Sequence, residues 1–244
     1  GPLRGWGSAL HQGDSVVSAV GAGATGSGPV VAVLDYGIGN LRSAEKALQH
    51  VGARATLTAD PGEIEAADAV VLPGVGAYGA CVGALEATGL GAVAVAAIER
   101  GQPFLGICVG MQLLYAGSDE SPGRPGLGVL EGHVRLLPAG VKRPQMQWNR
   151  LEPVTAGHPM LAGLVDPWVY FVHSYAAVDS EGVVATCDYG GPVTAAVAAG
   201  KVWATQFHPE KSGTIGLALL ANFVGWVATG SPVTALGAAP AGAR

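Results

Sequence analysis

An open α/β fold, built on a mixed but mainly parallel sheet flanked by helices, is what the hydrophobic patterns predict for this chain of 244 residues. Three observations carry the expectation. Short β-branched runs alternate with longer helical patterns through the first half. Strand patterns crowd together between Val134 and Phe207, joined by turn-rich segments such as Asp179-Ser-Glu-Gly182 and Tyr189-Gly-Gly-Pro192, as antiparallel additions to the sheet would be. Finally, Gly106-Ile-Cys-Val-Gly110 stands between an apolar strand pattern and a helical one, the mark of a sharp strand-to-helix bend.

Taken in order, Val30 to Asp35 is expected as the first strand, and Asn40 as the cap of a helix reaching about Val51. Ala53 to Leu57 and Ala69 to Leu72 read as strands, Tyr78 to Ala87 and Ala92 to Arg100 as helices. Pro103 to Ile107 is the strand that feeds the bend, and a helix over Ile215 to Val227 closes the domain. One domain over residues 29–229 is the simplest division, with no internal repeat. Residues 1–28, rich in Gly, Ser and Ala, read as a disordered tail without the basic start and apolar core of a secretory signal; the opening Gly1-Pro2 in place of Met points to a non-native addition within it. Residues 230–244 read as a second disordered tail.

Composition narrows the function. The chain is 49% hydrophobic and carries a net charge of -5 without a basic cluster, which argues against a nucleic-acid partner. The best apolar run, Ile215 to Val227, is too short to span a membrane and is interrupted by Asn222. Cys81, Cys108 and Cys187 form an odd set without metal-ligand spacing, so neither a disulfide frame nor a metal site is expected, and a reducing cytoplasm fits best. No cofactor is expected.

Two motifs carry chemistry. The bend lifts Cys108 onto a helix N-terminus, where Gly106 and Gly110 leave room around it and where the helix end and a nearby imidazole favour the thiolate. Ala204-Thr-Gln-Phe-His-Pro-Glu-Lys-Ser212 supplies the imidazole: His208 and Glu210 are two apart and point the same way on extended backbone. A lone Cys is usually a small core hydrophobe, and His-Pro-Glu alone can simply end a strand. Together the two segments read as a Cys108, His208, Glu210 triad. The glycine-bearing segments Asp35-Tyr36-Gly37 and Pro73-Gly74-Val75-Gly76 also follow strands, the ends at which open α/β sheets gather ligands.

Gly-Ile-Cys-Val-Gly-Met-Gln and Gln-Phe-His-Pro-Glu-Lys-Ser resemble the class I, or triad, glutamine amidotransferases, a flavodoxin-like fold with a Cys nucleophile elbow. Asp35-Tyr-Gly-Ile-Gly-Asn-Leu41, Pro73-Gly-Val-Gly-Ala-Tyr-Gly79, Met146-Gln-Trp-Asn149 and Tyr170-Phe-Val-His-Ser-Tyr175 are similar to the family of glutaminase subunits of imidazole glycerol phosphate synthase, over about residues 30–228. The resemblance implies that glutamine is hydrolysed and that ammonia passes to a (β/α)₈-barrel cyclase subunit in histidine biosynthesis. It implies oxyanion donors at the amides of Val75 and Val109, with Gly74 and Gly76 easing rotation of the peptides between them. It implies glutamine contacts from Gly74, Gly76, Gln112, Glu120, His173, Ser174 and Tyr175, and docking of the partner on Asn40, Arg42, Trp148, Asn149 and Lys211. Trp148 reads equally as an interface anchor or as core. Gln145-Met-Gln-Trp-Asn149 departs from the family's His-Met-Gly-Trp-Asn, which bears on coupling and not on the triad. Another class I amidotransferase or a stand-alone γ-glutamyl hydrolase is the alternative, and a binding module without chemistry a third.

Overall fold

The computed structural model describes residues 27–39 and 41–230. The two tails, apart from residues 27, 28 and 230, and the capping and docking roles expected of Asn40 therefore lie outside the described residues.

Strands whose every position is apolar are covered on both faces, and three of the four strands in the first half of the chain are of this kind. In β1 (Val30–Leu34) all but the first residue are buried. It is followed by α1 (Leu41–His50), which turns Leu41, Ala44, Ala47 and Leu48 to the core. Next comes β2 (Arg54–Thr58), an edge strand of alternating exposure. The short helix α2 (Pro61–Ala66) is an element that hydrophobic period does not reveal, although its start signal is present: the Asp60 carboxylate accepts from the N–H groups of Gly62 and Glu63 at 2.8 and 3.0 Å, and Pro61 opens the first turn. All six residues of β3 (Ala69–Gly74) are buried. Helices α3 (Tyr78–Thr88) and α4 (Leu90–Glu99) meet at 86° through Gly89, whose φ of 72° makes a left-handed cap; this abrupt joint starts the second helix two residues before the expected Ala92. No single helix among the described residues is long and apolar enough to cross a membrane.

The fully buried β4 (Phe104–Cys108) runs directly into α5 (Val109–Leu113), a helix of only five residues. Beyond it lie β5 (His133–Leu136), β6 (Gln145–Arg150), β7 (Glu152–Pro153), β8 (Trp168–His173), β9 (Tyr175–Val178), β10 (Val183–Asp188), β11 (Pro192–Ala199) and β12 (Val202–Thr205), then α6 (Gly213–Thr229). The main sheet has eight strands in the order β2-β1-β3-β4-β12-β11-β10-β7, the first five parallel and the remainder joined antiparallel. The antiparallel additions are thus only partly as expected: β5 pairs with β9 and β6 with β8 in two separate ribbons. β8 alternates buried and less buried positions while most of β6 is exposed, so one face of their ribbon stays wet and is unsuited to a helix-covered sheet.

α6 locks this frame. Trp226 stacks on buried Trp203 of β12 with ring centroids 4.8 Å apart. Asn222, which interrupts the apolar run in sequence, is buried and donates to the carbonyls of Met160 and Ala162. At its other end α6 abuts the segment carrying His208: a Cβ on Gly216 would stand 1.9 Å from the Pro209 carbonyl oxygen. Alanine gains up to about 1 kcal/mol of helix propensity over glycine. A backbone overlap that close outweighs it, since overpacking typically costs about 1–3 kcal/mol. Gly216→Ala is expected to lower the unfolding midpoint in urea and to displace the Pro209 loop; a midpoint above wild type would contradict this packing.

Candidate active site

The carboxyl ends of neighbouring parallel strands bring the chemical motifs together. Asp35-Tyr36-Gly37 follows β1, Gly74-Val75-Gly76 ends β3, Cys108 ends β4, and His208 lies three residues past β12. In register, Gly74 stands beside Cys108. Cys108 has φ 54° and ψ -112°, a backbone that L residues rarely adopt, so the expected strained bend is present. It is held by close approach: a Cβ on Gly110 would lie 1.9 Å from the Leu72 carbonyl oxygen, and one on Gly74 would lie 2.5 Å from the Gly110 nitrogen. Gly74 is therefore a packing residue behind the bend. The expected equivalence of the two glycines gives way to a division of labour, because Gly76, with φ 85°, has open space around its Cβ position.

His208 Nδ1 and Glu210 Oε1 are 2.7 Å apart, with both side chains almost fully buried. The His208 N–H donates to the Tyr170 carbonyl at 3.1 Å, and the Ser212 hydroxyl donates to the His208 carbonyl at 2.6 Å, so the segment is pinned to β8. Burial by itself lowers the imidazole pKa, but hydrogen bonding and charge from Cys108 and Glu210 outweigh it and push His208 up to about 10. The α5 helix, at five residues, contributes free N–H groups rather than a long dipole.

A cavity of about 320 Å³ opens on this constellation, lined by Val75, Gly76, Cys108, Val109, Gln112, Glu120, Pro144, Val172, His173, Ser174, Tyr175, His208 and Lys211. Val109 begins α5, where a backbone N–H has no helical acceptor, and Val75 lines the same cavity. Glu120 is drawn in from its polar loop by the Tyr78 N–H, which donates to Oε2 at 3.0 Å. Gln112 spends its amide N–H groups inside the protein, on the Tyr175 carbonyl at 2.8 Å and Gln206 Oε1 at 3.0 Å, which leaves its own Oε1 as the group for a ligand. His173 Nδ1 lies 2.9 Å from the Tyr175 carbonyl and its buried Nε2 has no partner. Burial drives its pKa down to about 4, against the opposing Tyr175 bond and with the help of nearby His208. Neutral His173 thus donates from Nδ1 and presents Nε2 as an acceptor.

Of the docking candidates, Lys211 is exposed at the cavity, Arg42 is exposed on α1, and Trp148 is 49% exposed on β6, which favours surface over core. The Asn149 amide is engaged internally, donating to the Asp188 carbonyl at 2.9 Å. Gln145 is buried against Cys187 at 3.7 Å, while Gln147 is exposed and leaves the strand pairing with Phe171 intact. Two neighbours of the site were not singled out from sequence. Gln206, fully buried, donates to Cys108 Sγ at 3.8 Å. Tyr36, within a motif read only for its turn, sends its hydroxyl to the Pro73 carbonyl at 2.7 Å.

A scan of family models matches residues 32–226 to glutamine amidotransferase class-I. The chain belongs to this family. It is 50% identical over 196 residues to the imidazole glycerol phosphate synthase subunit HisH of Methanothermobacter thermautotrophicus, covering 80% of this chain and 98% of that one. It is 49% identical over 209 residues to the HisH subunit of Methylococcus capsulatus, covering 80% and 96%. Among solved structures, a glutamine amidotransferase superposes with a TM-score of 0.63 at 26% identity, covering 78% of this chain and 98% of that one.

If His208 must hold a proton for the leaving nitrogen, activity is present below its pKa and lost as pH rises through it. Removing the Glu210 carboxylate removes one of the influences that raise that pKa. Glu210→Gln should shift the alkaline limb of the kcat/KM profile for glutamine hydrolysis to lower pH. An unmoved alkaline limb would assign Glu210 no such part.

Proposed function

We propose that this chain is the glutaminase subunit of an imidazole glycerol phosphate synthase, hydrolysing glutamine to glutamate and ammonia. The reading rests above all on one observation: Cys108 and the buried His208–Glu210 pair meet at a single cavity, on a strained bend beside two candidate oxyanion N–H groups. Cys108 Sγ attacks the side-chain amide carbon of glutamine, and the developing oxyanion is met by the N–H groups of Val109 and Val75. His208 gives its proton to the departing nitrogen, releasing ammonia and leaving a γ-glutamyl thioester. Water, deprotonated by His208, attacks that thioester and returns the thiol and glutamate. Glu210 holds the imidazole by Nδ1 and steadies its charge. The carboxylate of Glu120 suits the substrate's ammonium group, and the cavity wall from Gly76 and from His173 to Tyr175 borders its other end. The triad thiol is kept reduced in the cytoplasm.

Free ammonia escapes unless it is consumed nearby, so the product calls for an acceptor enzyme. We assign that part to a (β/α)₈-barrel cyclase subunit, which uses the ammonia to form imidazole glycerol phosphate and AICAR in histidine biosynthesis. The ribbon of β6 and β8 supplies a docking surface: Met146, Trp148 and Trp168 are exposed on it, and Val172 of the same ribbon lines the cavity together with Pro144 and Lys211. Exposed aromatics of this kind anchor interfaces. Coupling works through the peptide between Gly74 and Val75, which turns its N–H to the oxyanion only when the partner is loaded.

An interaction made only in the transition state changes kcat, not KM. One missing oxyanion donor costs about 10²–10³ in rate. Adding a cyclase loaded with its nucleotide ligand should therefore raise kcat for glutamine by at least about 10², with little change in KM. Trp148→Ala should raise the cyclase concentration needed. Cys108→Ala should abolish glutamine-dependent synthesis and spare synthesis from ammonium salts. Equal kcat for the free subunit, the complex and the loaded complex would favour the stand-alone hydrolase.

A further inference from the structure

The loop that carries the Val75 N–H is held from behind by two buried side chains from different elements. Tyr36, just past β1, donates its hydroxyl to the Pro73 carbonyl at 2.7 Å. Cys81, in the first turn of α3, donates its thiol to the Val75 carbonyl at 3.3 Å. Pro73 O belongs to the peptide before Gly74, and Val75 O to the peptide after Val75. The two bonds thus pin the peptide planes on either side of the Gly74–Val75 peptide, and neither touches that peptide itself. Tyr36 is 2% exposed and Cys81 fully buried. Both stay neutral donors near pH 7, because burial, the largest influence on each, raises the phenol and the thiol alike. The phenol and thiol also lie side by side, so the pair forms one polar support under the loop.

We infer that Tyr36 and Cys81 are positioning residues for the oxyanion hole: they fix the flanks of the loop so that the Gly74–Val75 peptide turns alone and its N–H arrives aimed at the oxyanion. This rests on the proposed glutaminase reading and deepens it. Two pinned neighbours leave a peptide a crankshaft rotation about the axis joining its Cα atoms. The Cβ position of Gly74 is blocked by the Gly110 nitrogen and Val109, which keeps that end of the axis in place. With either anchor gone, the flanking carbonyl swings, and the Val75 N–H spreads over directions that miss the oxyanion. Neither side chain borders the glutamine cavity, so substrate binding is untouched.

The test uses the complex with cyclase loaded with its nucleotide ligand. Full loss of an oxyanion donor costs about 10²–10³, so a misaimed one should cost roughly tenfold. Tyr36→Phe and Cys81→Ala are each expected to lower kcat for glutamine about tenfold, with KM and ammonium-dependent synthesis unchanged. Cys81→Ser, which keeps an O–H donor at the same place, should recover most of the loss. Near-wild-type kcat in both Tyr36→Phe and Cys81→Ala, alongside a strongly stimulated wild type, overturns the inference and leaves the proposed function standing. Equal losses in Cys81→Ser and Cys81→Ala, or a loss that falls on KM, also overturn it, since bulk packing would then be the cause. A wild type that the loaded cyclase fails to stimulate overturns the proposed function and the inference with it. Urea unfolding of each variant separates lost aim from lost fold.

Discussion

Backbone meets backbone where the end of β3 presses on the turn from β4 into α5, and nothing larger than hydrogen fits between them. Gly110 lies against the Leu72 carbonyl and Gly74 against the Gly110 nitrogen. That contact holds Cys108 in a positive-φ conformation that costs about 1–3 kcal/mol and that a free chain would relax. The surrounding sheet, buried at every position of β3 and β4, holds it there. The same contact places the Val75 loop beside Cys108, so under the proposed reading the geometry for attack and the geometry for oxyanion support arise from one packing constraint.

Charge is the second element. A histidine and a carboxylate 2.7 Å apart and out of water are costly to assemble unless each is held by other bonds. The His208 backbone is tied to Tyr170 and Ser212, and Pro209 packs against Gly216 of α6. Under the proposed reading, α6 therefore supports the reaction at a distance, by fixing the loop that carries His208. Gln206 closes the circuit, linking Cys108 Sγ to Gln112 and through it to the Tyr175 carbonyl on the substrate side of the cavity.

Much of this is legible in the sequence because the informative residues are local. Gly-Ile-Cys-Val-Gly after an apolar run specifies its own bend. His208 and Glu210 do meet, but over a 3-10 turn, Pro209–Lys211, and not over the extended backbone that their spacing of two suggests, because Pro209 opens a helical turn there. The alternation of strand and helix patterns likewise yields the parallel half of the sheet. Contacts between distant segments are less legible. Gly74 reads as a hinge glycine until its closeness to Gly110 is seen. Tyr36 and Cys81 lie far apart in the chain and only the fold sets them under one loop. The separation of β6 and β8 from the main sheet depends on which faces remain wet, and strand spacing alone does not encode that. The helix α2 was legible, since Asp60, Pro61 and Glu63 form a start signal, but six residues are too few to show a period.

Cys108 Sγ, proposed as the nucleophile toward glutamine, is the atom on which the whole site turns. A diazoketone analogue of glutamine reports on it most directly, because it alkylates the nucleophile held against the bound substrate frame, with loss of N2. Peptide mass mapping after treatment should find one adduct per chain, on Cys108, absent from His208→Asn and suppressed by excess glutamine. An adduct on Cys81 or Cys187, or none on a chain that still hydrolyses glutamine, would contradict the account.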